Sequence, residues 1–166
     1  MKKYLILIII FIAIISCSPS QEPKTIYIVR HAEKMLVGDD PELSVAGTAR
    51  SKKLAQILEN KDIQHIYSTN TIRTKATVQP LADKLGISIE TYDINNHDDL
   101  VNDLRKNKGD AVVVGHSNSI HHLVNYFVGQ GPKISEIEDV DYNFIFFINL
   151  KKDGSAEVER KEYKDF

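Results

Sequence analysis

The chain offers few covalent or electrostatic devices. Cys17 is its single cysteine, so no disulfide can form within one copy, and even an oxidising compartment would give it no staple. Its basic residues are not clustered. With Lys2 and Lys3 of the N-terminal segment set aside, 19 Lys and Arg face 23 Asp and Glu, a formal charge of −4. That balance argues against nucleic acid as a partner and against electrostatic attachment to anionic lipid. The longest apolar run, Tyr4 to Ile15, is about a dozen residues, short of the roughly 20 that a bilayer-spanning helix needs. Internal repeats are absent, and carboxylates do not gather around the six histidines, so neither a metal nor another cofactor is implied.

What is present begins with a processing signal. Lys2 and Lys3 form a basic start, the apolar run follows, and Ile14-Ile15-Ser16-Cys17 closes it. This arrangement resembles a bacterial lipoprotein signal, which implies that Cys17 becomes the lipidated N-terminus. The expected organisation is a signal peptide at 1–16, a tether at 17–24 and one domain at 25–166. The tether stretch Ser18-Pro19-Ser20-Gln21-Glu22-Pro23-Lys24 has no apolar residue. The expected location is outside the cytoplasm, held to the cell envelope by lipid on Cys17. The 150 residues left after removal of 1–16 suffice for one domain with a proper core.

From Thr25 onward, strand and helix patterns alternate. Apolar runs predict strands at Thr25–Val29, Ile63–Tyr67, Ile87–Tyr92 and Asp110–Gly115. Helical spacing predicts helices over 44–60, 71–85, 98–106 and 119–128, with Ser44 as a cap and Gly86 as a stop. In the first of these, Val45, Ala49, Leu54, Ile57 and Leu58 form the apolar stripe. Asn143–Leu150 and Ser155–Lys161 read as a hairpin about Lys151-Lys152-Asp153-Gly154. The expected fold is a three-layer α/β/α domain with a mostly parallel sheet and a C-terminal antiparallel hairpin.

Three strand ends carry unusual chemistry. Arg30-His31 follows the first strand, Ser68-Thr69 and then Arg73 follow the second, and Gly115-His116-Ser117 follows the Val-rich one. In open α/β sheets these ends meet at the ligand crevice. Two arginines and two histidines there suit a phosphate dianion, because a guanidinium fork matches its oxygens and a neutral imidazole can attack phosphorus.

These residues resemble the histidine phosphatase superfamily, the phosphoglycerate mutase-like proteins. Its Arg-His-Gly signature corresponds to Arg30-His31-Ala32, and its Ser turn with Arg and Thr four apart to Ser68, Arg73 and Thr77. Its Gly-His strand end corresponds to Gly115-His116, and its Leu-Thr-x-x-Gly helix start to Leu43-Ser44-Val45-Ala46-Gly47. The resemblance covers about 24–150. It implies a phosphomonoester hydrolase in which His31 is the nucleophile and forms phosphohistidine. Arg30, Arg73, His116 and Ser117 would bind the phosphoryl oxygens, and no metal is needed. Asp98 is the expected proton donor, with Glu33 and Asp93 behind it. Ala32 replaces the family's glycine, and its methyl group could crowd the phosphate. The implied substrates are a phosphorylated small molecule, a glycolipid or a phosphoprotein.

Alternatives remain open. The same pocket could serve a non-catalytic phosphate-binding lipoprotein or a phosphoglycerate mutase-like phosphotransferase. Gly115-His116-Ser117-Asn118-Ser119 nearly matches a serine-hydrolase nucleophile elbow, yet no histidine follows Ser117 at a useful distance. His65 reads as structural, and His121 and His122 as helix residues.

Overall fold

A computed structural model describes residues 21–166. The expected signal segment 1–16, Cys17 and the first part of the expected tether lie outside the described residues.

Strands β1 (Lys24–Arg30), β2 (Ile63–Ser68), β3 (Ile89–Thr91), β4 (Asp110–Gly115), β5 (Phe144–Leu150) and β6 (Ala156–Glu162) form one sheet in the order β3-β2-β4-β1-β5-β6. The first four in that order run parallel, and β5 and β6 close the far edge as an antiparallel hairpin. Helices α1 (Val45–Leu58), α2 (Ile72–Leu85), α3 (His97–Lys106) and α4 (Ser117–Asn125) cover the two faces.

The side-chain period of two in a strand sorts the core into two layers. Ile26 and Ile28 of β1, with Ala111 and Val113 of β4, pack beside Leu100, Leu104, Ile120 and Leu123 of α3 and α4. Their neighbours Tyr27, Val29, Val112 and Val114 pack on the opposite face with Leu54, Leu58, Val78 and Leu81 of α1 and α2. Both faces of β1 and β4 are therefore buried, which is why their sequences are near-continuous apolar runs.

Ser44 accepts from the Gly47 N–H to start α1, and Gly86, at φ 69°, stops α2 in the left-handed region. The apolar stripe expected on α1 is rotated. Gly47, Ser51, Leu54, Ala55 and Leu58 are its buried residues, whereas Val45 and Ala49 face outward. Gly47 sets that rotation, because a Cβ there would lie 2.1 Å from the Glu33 carbonyl oxygen. Strand β3 is shorter than its apolar run, and α4 begins two residues earlier than expected, at Ser117.

Pro80 lies inside α2 and has no N–H to give the carbonyl of Ala76, four residues back. Ser51 of α1 supplies the missing donor, its Oγ reaching Ala76 O at 2.9 Å. Ser51→Ala is expected to destabilise the fold by about 1–2 kcal/mol, since it orphans that acceptor. Urea unfolding checks this as a lowered midpoint with unchanged slope. A loss below about 0.5 kcal/mol, typical of surface changes, would mean that water satisfies the carbonyl instead.

Candidate active site

Parallel pairing aligns the three strand ends. Arg30 of β1 is in register with Gly115 of β4, and Ser68 of β2 with Val114. The backbone continues the ladder one step further, with His31 N donating to Gly115 O at 2.9 Å. Beyond this edge lies a cavity of about 610 Å³ whose walls include Arg30, His31, Arg73, His116, Ser117 and Tyr142. Every expected phosphate-contacting residue is thus brought together.

His31 is buried, and its Nδ1 lies 2.8 Å from the Ala32 carbonyl oxygen. A carbonyl can only accept, so Nδ1 carries the proton and the lone pair is left on Nε2. The His116 ring stands edge-on to it, with centroids 5.4 Å apart. Arg73 Nη2 lies 3.3 Å from His116 Nδ1, and His116 Nε2 lies 2.9 Å from Thr69 Oγ1. A guanidinium can only donate, so Nδ1 of His116 accepts and its Nε2–H donates to Thr69. Thr69 passes the bond on to Thr74 Oγ1 at 3.0 Å.

Burial disfavours the charged form of both imidazoles, and the charges of Arg30 and Arg73 act in the same direction. At His31 the bond to the Ala32 carbonyl opposes them only in part. Both histidines are lowered from 6.5 to about 4. Because the shift is downward, both stay neutral as pH falls from 7 and gain a proton only near pH 4. Proton NMR titration is expected to place both midpoints well below 6.5; a midpoint at or above that value would contradict this balance.

The arginines are held by groups on and behind the cavity wall. Arg30 donates through Nη1 to the carbonyls of Glu138 and Asp141, at 2.9 and 3.2 Å. Its Nη2 meets Asp139 Oδ1 at 3.3 Å, and its guanidinium lies 4.1 Å from the centre of the Tyr142 ring. Arg73 Nη1 meets Asp40 Oδ1 at 3.0 Å. The buried Nε atoms of both arginines have no hydrogen-bond partner among the described residues. Ser117 and Asn118 at the start of α4 also line the cavity, where the positive end of the helix dipole favours negative charge.

Thr77, four residues after Arg73, does not line the cavity. Its Oγ1 accepts from Ala32 N at 2.9 Å and donates to Arg73 O at 2.8 Å, joining the β1 end to α2. Ala32 is wholly buried and outside the cavity walls, and no non-glycine residue among those described has positive φ. Its methyl group is therefore not part of the cavity wall.

The carboxylates expected as proton donors lie elsewhere. Asp98 is exposed on the first turn of α3 and is not a cavity residue. The Asn95 backbone N–H donates to Asp93 Oδ1 at 2.8 Å, and Asn96 caps α3. That turn directs Leu100, Val101 and Leu104 to the sheet and leaves Asp98 in solvent. Glu33 forms a two-pronged pair with Arg50 at 2.9 and 2.6 Å. Burial raises its affinity for a proton, yet the Arg50 bonds and charge outweigh this and hold the carboxyl below its ordinary range.

The carboxylates on the cavity wall are instead Glu136 and Asp139, from the long α4–β5 connection. Ser117 Oγ donates to Asp139 Oδ1 at 2.6 Å, and with the Arg30 charge this keeps Asp139 ionised below its usual range. His65 stacks on Tyr67 away from the cavity, and neither His121 nor His122 lines it.

Residues 26–94 match the family model of the histidine phosphatase superfamily (branch 1). The 6-phosphofructo-2-kinase/fructose-2,6-bisphosphatase 4 of Homo sapiens is 34% identical over 82 residues, a match covering 46% of this chain and 17% of that protein. Among solved structures, the protein histidine phosphatase SixA complexed with tungstate aligns with a TM-score of 0.68 at 17% identity, covering 85% of this chain and 98% of that one. Phosphoglycerate mutase from Bacillus anthracis aligns with a TM-score of 0.69 at 13% identity, covering 87% and 96%. The fold is thus the phosphoglycerate mutase-like α/β fold, and the family match supports the histidine phosphatase superfamily.

Proposed function

We propose that this chain is a phosphomonoester hydrolase that works through phosphohistidine at His31. The carrying observation is a neutral imidazole with its Nδ1 proton held on Ala32 O, set in a cavity lined by two guanidiniums. In the first step the Nε2 lone pair attacks phosphorus, the P–O bond to the leaving group breaks, and that oxygen takes up a proton. In the second, water attacks phosphorus, the P–N bond breaks, and phosphate leaves with His31 neutral again. Arg30 and Arg73 balance the charge of the equatorial oxygens, and His116 and Ser117 donate to them once their bonds to Thr69 and Asp139 are exchanged for the substrate, which is most of what phosphoryl transfer requires.

The test uses an aryl phosphate, whose phenolate leaves without a general acid, so the assay reads His31 and not the proton donor. Rapid quenching is expected to trap an acid-labile, base-stable phosphoryl group on His31. If wild type released phosphate no faster than His31→Ala and trapped none, the site would be a phosphate receptor and the proposal would fail.

The same proposal includes lipid attachment at Cys17 on the cell envelope. It is supported by the basic, apolar and Ser-Cys order of the first 17 residues. The substrate is a phosphorylated molecule able to enter this cavity.

A further inference from the structure

The charges around the cavity are already balanced before any substrate enters. Arg30, Arg73 and Lys34 supply three cations. Glu136 and Asp139 on the wall, and Asp40 on Arg73, supply three carboxylates. A phosphate dianion entering this site therefore adds two negative charges to a neutral set. Its oxygens meet guanidiniums whose Nη atoms already face Asp139 and Asp40. A phosphate oxygen on either guanidinium shares the positive charge that Asp139 and Asp40 now face, so these carboxylates are less fully compensated once substrate is bound. Asp139 is predominantly exposed and ionised, and Glu136 makes no ion pair among the described residues.

We propose that the substrate carries a positive charge close to its phosphoryl group, so that an ammonium or guanidinium meets Glu136 and Asp139 while the phosphate fills the arginine clamp. The substrate class is a small amine-bearing phosphomonoester. Bisphosphates and carboxylated phosphates, which add further negative charge, are disfavoured. This deepens the phosphatase reading and rests on it for turnover, but the recognition itself is a matter of binding.

The test compares aminoalkylphosphonates of increasing chain length with alkylphosphonates of the same length, since neither is hydrolysed. By calorimetry on the wild-type chain, the best amine is expected to bind at least about tenfold tighter than its uncharged partner, as a hydrogen-bonded charge pair implies. Glu136→Gln with Asp139→Asn is expected to bring the two within about threefold, and added salt to narrow the gap in wild type. Glu136→Gln alone, at an exposed position, gives the same direction if the double variant folds poorly. Equal affinities in wild type, or a preference unchanged by these substitutions, overturn the inference. If the preference holds but no aryl phosphate is turned over, recognition stands and the phosphatase reading falls.

Discussion

His31→Ala is expected to lower kcat for an aryl phosphate by about 10³–10⁶-fold, the range seen when a covalent nucleophile is removed. The size follows from the role. Without the imidazole the phosphoryl group has no acceptor at the end of β1, and only direct attack by water on the clamped phosphate remains. Stability should change far less than activity. The lost side chain makes one hydrogen bond, to its neighbour's carbonyl, and its removal relieves the cost of burying a titratable ring. Binding of inorganic phosphate is expected to persist, because Arg30 and Arg73 are untouched. A variant retaining more than a tenth of wild-type kcat would remove His31 from the chemistry.

Arg73→Ala should rank second, with kcat reduced about 10²–10³-fold, as for loss of one preorganised donor to the transition-state charge. Two losses combine. The guanidinium charge is lost from the cavity wall, and His116 Nδ1 loses the donor that orders its ring. The Asp40 pair broken by the change is partly exposed and worth only about 0–1 kcal/mol, so melting should move little. A fall in activity matched by an equal fall in stability would show that Arg73 acts through the fold.

The parts of this site that the chain reveals without coordinates are those built on strand ends. Arg30-His31 and Gly115-His116 each terminate an apolar run, and parallel pairing of β1 with β4 makes the two ends neighbours. Arg73 was readable because Ser68 and Thr69 close β2 and a helix follows directly. Asp139, Glu136 and Tyr142 were not, because they come from a connection without regular periodicity between α4 and β5. Asp98 was misplaced by turn chemistry. The Asp93 turn and the Asn96 cap decide which face of α3 meets the sheet, and neither the apolar spacing nor the charge pattern reports that. The bond from Ser51 to Ala76 likewise joins two helices, and the face α1 turns inward depends on the close approach of Gly47 to the Glu33 backbone.

Strand β1 has a geometric consequence of its own. Lys24, where the proposed tether ends, and Arg30, at the cavity, sit at opposite ends of it, about 20 Å apart at roughly 3.3 Å per residue. Under the lipid attachment proposed at Cys17, the anchor joins the domain at the foot of this strand, a full strand length from the reacting histidine at its top.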